Sequence, residues 1–84
     1  MRLALQSEDL KQLHTDCLRT LKRYIEEAQH TCTVLDEVQE FPVPHHLLLK
    51  ILEQRQSEND AHEAYQIART RLFVTARWRK AGDN

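Results

Sequence analysis

A chain of 84 residues and 10.0 kDa makes one domain at most and buries only about 60% of its unfolded surface on folding, which leaves no room for a separate catalytic domain. Glycine occurs once, at Gly82, and proline twice, at Pro42 and Pro44, so phosphate-cradling loops and dinucleotide fingerprints are excluded, because both need several glycines for close backbone approach. The formal net charge of −1 hides a split: residues 1–66 hold seven Lys/Arg against twelve Asp/Glu, and residues 67–84 hold five against one.

With 30% charged residues and a clear apolar periodicity, the chain is not a disordered tail, which would join low hydrophobicity to high net charge. Apolar runs such as Leu47-Leu48-Leu49 fall far short of the roughly 18 residues of a membrane span. Arg2-Leu3-Ala4-Leu5 opens like a signal peptide, but Gln6-Ser7-Glu8-Asp9 ends the apolar run before an h-region forms. No membrane association is expected, and the cytoplasm is the expected compartment.

The first predicted helix runs from about residue 7 to 40. Ser7 can cap it, and Glu8 and Asp9 place negative charge in a first turn whose dipole favours it. Apolar residues then recur at helical spacing: Leu10, Leu13, Cys17, Leu18, Leu21, Tyr24, Ile25, Ala28, Cys32, Leu35 and Val38. Phe41-Pro42-Val43-Pro44 interrupts the pattern, since proline cannot donate to the helical ladder and biases its predecessor away from αR. The helix should end at Glu40 or Phe41, with residues 41–44 as the turn and Pro44 opening the next helix.

The second predicted helix runs from about 44 to 80 and is less uniform. Leu47, Leu48, Ile51 and Leu52 make one stripe, eight polar residues occupy 53–60, and Ala61, Ala64, Tyr65, Ala68 and Leu72 resume a second. At about 100° per residue the two stripes are displaced by roughly 110°, of which coiled-coil drift explains only half. Either the helix hinges near Ser57, or its halves face different neighbours; the absence of Gly and Pro favours one bent helix.

The fold class expected is therefore all-α: a single antiparallel hairpin of two long helices spanning 1–84. A 34-residue helix is about 50 Å long, so the molecule should be a rod rather than a globule with a radius of gyration near 12 Å. Cys17 and Cys32 lie about 22 Å apart along one helix, too far for a disulfide, and read as free, partly buried thiols. The apolar set of the first helix forms three lines: Leu10, Cys17, Tyr24 and Val38; Leu21, Ala28 and Leu35; Leu18, Ile25 and Cys32. A two-helix seam needs about two positions per heptad, and three is the pattern of a helix inside a larger bundle. A lone hairpin would leave one line wet, so association with a helical protein partner or with a second copy is expected. Leu21, Ile25, Ile51 and Leu52 are the expected hairpin core.

A search for site chemistry turns up fragments only. Glu27 and His30 match Glu-x-x-His, but the motif must occur twice and point into a bundle core; here it occurs once and reads as a solvated pair away from the apolar stripe. His62-Glu63 opens like H-E-x-x-H, but Gln66 stands where the second ligand belongs. Adjacent His45 and His46 point about 100° apart and read as turn-region salt-bridge partners of Asp36, Glu37 and Glu40. His14 reads as a core-edge histidine. Cys17 as a nucleophile would need a base within reach and an oxyanion site, and a rod of packed helices offers no obvious cleft for them. No enzyme, cofactor or metal site is expected.

The basic end is the most distinctive segment. Arg69, Arg71, Arg77, Arg79 and Lys80 with Trp78 fit phosphate contact and base stacking, or a helix terminus whose cations suit the dipole. Ile67, Val74 and Trp78 fall roughly opposite Tyr65 and Leu72 and form a second apolar strip. With Phe73, Leu18 and Ile25, they are the candidate partner-binding residues.

A first helix opening with Glu8-Asp9-Leu10, a proline turn, and His46-Leu47-Leu48-Leu49 leading through Ala61 to Arg71 resembles the small helical-hairpin co-chaperones of type III secretion needle subunits. The resemblance is one of size, layout and leucine placement over most of the chain. It implies a cytoplasmic, non-enzymatic protein that works with a helical-repeat chaperone to keep a needle subunit from polymerising early. The function expected is thus a helical adaptor or co-chaperone. The alternative is a self-associating bundle that binds nucleic acid through its C-terminal arginines.

Overall fold

The computed structural model describes residues 2–82, with side chains described for 10–77. It is an all-α antiparallel hairpin of two helices, α1 (Arg2–Asp36) and α2 (His45–Gly82), and no strand occurs among the described residues. The molecule is a rod of 60 × 17 × 14 Å with a radius of gyration of 18.7 Å.

Both helix boundaries of α1 differ from the sequence reading. The helix starts at Arg2, so Ser7 is inside it rather than at its N-cap, and Glu8 and Asp9 are not in its first turn; their side chains lie outside the described residues. It stops at Asp36, four residues early. There Glu37 N–H donates to the Val34 carbonyl and Val38 N–H to the Leu35 carbonyl, both at 3.1 Å, an i→i+3 pattern that tightens the last turn and uses carbonyls left over at a helix end. Pro44 precedes α2 rather than opening it: its carbonyl accepts from Leu48 N–H at 2.9 Å and from Leu47 N–H at 3.1 Å.

Burial follows a regular heptad on each helix. On α1 the inward residues are Leu10, Leu13, Cys17, Thr20, Tyr24, Glu27, Thr31 and Val34, followed by Val38 just past its end; on α2 they are Leu47, Ile51, Gln54, Glu58, Ala61, Tyr65, Ala68, Leu72 and Thr75. Spacings alternate between three and four, the two-per-heptad seam of coiled-coil packing. Val34 is 2% exposed and Ala61 fully buried. Glu37 opposite Lys50, and Tyr24 opposite both His62 and Tyr65, set the register of the antiparallel pair.

This seam bears on three expectations. First, α2 is one helix through Ser57, the continuous alternative of the sequence reading rather than the broken one; Gln54 and Glu58 occupy seam positions, and the apparent shift between apolar stripes is the gap they leave in an apolar count. Second, of the expected core Leu21, Ile25, Ile51 and Leu52, Ile51 lies on the seam and Leu21 is half-buried beside it, but Ile25 is 46% and Leu52 50% exposed. Third, Glu27 lies on the seam instead of away from it. Gln54, 7% exposed, donates through Nε2 to the Glu27 carboxylate at 2.9 Å and to the Glu27 carbonyl at 3.0 Å.

Threonines can line a seam because their hydroxyls turn back to the helix. Thr20 donates to the Asp16 carbonyl at 2.8 Å and Thr31 to the Glu27 carbonyl at 3.0 Å. Each polar atom is satisfied locally, at some cost to helix regularity, and the methyl is left for packing. No buried side-chain nitrogen or oxygen among the described residues lacks a partner.

Candidate partner-binding surface

The seam uses two lines of α1 and leaves apolar residues beside it. Leu18, Leu21, Ile25, Ala28, Cys32 and Leu35 repeat the alternating three-and-four spacing over about 26 Å of helix. Within that stripe Leu18 is 45%, Ile25 46% and Leu35 50% exposed, Cys32 is exposed, and Leu21 and Ala28 are half-buried against the hairpin. It is a second heptad stripe, adjoining the first, and α2 covers only part of its near edge, at Leu21 and Ala28.

Two contacts decide which flank of α2 lies beside it. Lys50 Nζ sits 3.0 Å from the Glu37 carboxylate, and an open cleft is lined by Asp16 and Arg19 of α1 with Ala64, Ile67 and Arg71 of α2. Those residues therefore share one side of the rod. The stripe lies on the other side, where the His62 ring stands 4.9 Å from Tyr24. By helical spacing Leu48, Leu52, Arg55, His62, Arg69 and Phe73 of α2 flank the seam on that same side.

The candidate residues thus divide. Leu18, Ile25 and Phe73, the last 56% exposed, lie on the stripe's side; Ile67 and Val74, 47% and 61% exposed, lie on the opposite one, separate from half-buried Tyr65 and Leu72. They do not form a single surface. The side chains of Trp78, Arg79 and Lys80 lie outside the described residues. Arg69, Arg71 and Arg77 are exposed but point to three sides of α2, and the Arg69 guanidinium lies over the Phe73 ring at 5.4 Å.

The histidines and cysteines also find their places. His14 is exposed rather than at the core edge, and His45 and His46 are exposed; among the described residues it is Lys50, not a histidine, that pairs with Glu37. His30 is exposed, while half-buried His62 packs on Tyr24 within 3.4 Å of the Gln66 amide. Cys17 and Cys32 are free thiols, and Cys32 is exposed rather than partly buried. No three His, Cys, Asp or Glu side chains converge as a metal site among the described residues, and no described helix is long and apolar enough to cross a membrane.

Counting apolar residues had drawn attention to Leu18 and Ile25 but missed that Leu48 and Leu52 lie on the same side of the rod, beside Leu35 near the turn. The signal was present in the heptad phase: once Gln54 and Glu58 are admitted to the seam, Leu48 and Leu52 fall beside it. No family model matches the sequence, and no curated protein or solved structure shows significant similarity to it.

Proposed function

We propose that this hairpin is a non-enzymatic helical adaptor or co-chaperone that binds another helical protein through the exposed stripe of α1. The observation that carries the reading is the second heptad, Leu18 to Leu35, set beside a seam already filled by α2. An apolar stripe at coiled-coil spacing is the surface that a further helix covers by knobs-into-holes packing. The size, hairpin layout and leucine placement also resemble the hairpin co-chaperones of type III secretion needle subunits; a protein of that kind would work in the cytoplasm with a helical chaperone or a secreted subunit as its partner.

Site-directed photo-crosslinking tests the reading. A photoactivatable side chain at Ile25 should give one defined protein adduct in the cells that make this protein, and the same group at Thr33, on the other side of α1, should not. Equal labelling from both positions, or adducts to nucleic acid from the Arg69 to Arg77 end, overturns it.

A further inference from the structure

We infer that the groove between the α1 stripe and α2 takes an amphipathic helix of another protein whose apolar face is flanked by carboxylates. The inference rests on the adaptor reading and adds the chemistry of the partner. Its basis is a segregation of charge that the near-neutral total conceals. At the positions of α1 and α2 that flank the seam on the stripe's side, residues 10–77 include no aspartate or glutamate. The charged side chains there are Lys11, Arg55 and Arg69, with His14 and His62 as further donors. The corresponding positions on the opposite side mix both signs, Asp16, Glu26, Glu37, Glu53 and Asp60 with Arg19, Arg23, Lys50 and Arg71, so it is the carboxylates that are segregated.

Shortage does not explain the pattern, because the chain holds thirteen acidic residues against twelve Lys and Arg. The two ion pairs among the described residues, Arg19 with Asp16 and Lys50 with Glu37, both lie on the opposite side, and neither Arg55 nor Arg69 has a carboxylate partner there. The groove is graded along its length: Leu35, Leu48 and Leu52 make it apolar on both walls near the turn. Towards the open end, α1 keeps Ile25 and Leu18 while α2 offers His62 and Arg69. A helix laid along it buries its apolar face on α1 and brings its flanks to the arginines. Excluding water from the groove strengthens those charge pairs relative to their strength at a free surface.

A second copy of this chain fits the same groove poorly. Face-to-face pairing would bring two sets of Arg55, His62 and Arg69 into one interface with no carboxylate among them, and like charges brought together at an interface disfavour a partner strongly. A phospholipid surface would meet the same charges, but it has no use for a stripe whose spacing alternates by three and four, which is the geometry of helix against helix.

The test uses the full chain and three synthetic helical peptides with one common leucine stripe and flanks of Glu, Gln or Lys, read by fluorescence anisotropy. The Glu peptide should bind on the order of tenfold tighter than the Gln peptide, as several partly screened pairs of modest strength would give, and the Lys peptide should bind weakest. Raising salt from about 0.05 M to 0.5 M should shrink that advantage. The double change Arg55→Glu and Arg69→Glu should reverse the order, Arg55→Gln and Arg69→Gln should level it, and Ile25→Asp should abolish binding of all three. These positions are exposed, and circular dichroism checks that each variant stays helical. Equal affinity for the Glu and Gln peptides sinks the charge inference and leaves the adaptor reading standing, whereas no binding by any peptide sinks both. Sedimentation showing a dimer that Ile25→Asp splits would hand the groove to a second copy, and tight binding to phosphatidylserine vesicles that the Glu peptide fails to compete would hand it to a membrane; either overturns the inference.

Discussion

Apolar residues gather on one broad side of α1, whereas around α2 they are spread almost evenly. The cause is what each helix brings to the seam. α1 contributes Leu10, Leu13, Cys17, Tyr24 and Val34, broken by Thr20, Glu27 and Thr31. α2 contributes Leu47, Ile51, Tyr65 and Leu72, but its most buried residues are Gln54, Ala61 and Ala68, and it sends Leu48, Leu49, Leu52, Ile67, Phe73 and Val74 outward. Hydrophobicity therefore orients α1, while α2 is oriented largely by size and by one hydrogen-bonded layer. Alanines let the backbones approach, the Tyr24 and Tyr65 rings stack beside them at 6.4 Å, and Gln54 fixes the register through Glu27.

If that contrast is right, a charge should be ruinous on one line of α1 and tolerated one stripe away. Val34→Asp places an unpaired carboxylate where 2% of the side chain is exposed, and an uncompensated buried charge costs roughly 3 to 5 kcal/mol. That is much of the stability of a small domain, and the hairpin should lose its cooperative thermal transition. Leu18→Asp, on the free stripe, should change stability by about 0.5 kcal/mol or less. Equal damage from the two changes would show that the stripe belongs to the chain's own core.

On α2 the sensitive change is an enlargement. Ala61 is fully buried between the helices, so Ala61→Leu overpacks the seam and should cost about 1 to 3 kcal/mol, measured by urea denaturation. Leu52→Ala removes a larger apolar side chain that is 50% exposed and should cost less than Ala61→Leu adds. An order reversed from this one would mean that apolar content, and not size, orients α2.

These contrasts also explain what could be read from the sequence. The proline turn, the absence of other breakers and the strong periodicity of α1 were sufficient for an all-α hairpin. Three apolar lines on α1 made one of them surplus, but the count did not say which, and Ile25 fitted the hairpin core as well as the partner face. The register of α2 was not legible, since Gln54 and Glu58 carry no apolar signal and Gln54 becomes a seam residue only when Glu27 meets it. Leu52 looked like core for the same reason: with the true seam hidden, the bulkiest residues stood in for it. The charge segregation of the groove could not be seen at all until the heptad phase of both helices was known.

The polar layer gives a test of intermediate size. Gln54→Leu alone leaves the half-buried Glu27 carboxylate without its amide donor and should cost about 1 kcal/mol. Changing Glu27→Leu as well fills the layer with apolar side chains and should recover that loss or exceed the parent. The recovered stability should come with weaker specification of register, as when a polar seam residue is removed from other coiled coils. Paired spin labels across the hairpin at Thr33 and Glu53 would then show a broader distance distribution than in the parent.

The smallest effect belongs to the ion pair at the turn end. Lys50 and Glu37 are 3.0 Å apart, but their side chains are 48% and 39% exposed, so solvent screens most of the attraction and exposed pairs of this kind contribute about 0.2 to 1 kcal/mol. Lys50→Ala should lower the melting midpoint slightly at low salt and by less at about 0.5 M salt, where the Debye length falls below the separation of most surface charges. A double-mutant cycle with Glu37→Ala isolates the pair from the separate loss of the lysine stem. A coupling far above 1 kcal/mol that persists at high salt would mean that the turn clamps the register more tightly than the Gln54 layer does, and that the contrast between α1 and α2 is set from the hairpin end rather than along the seam.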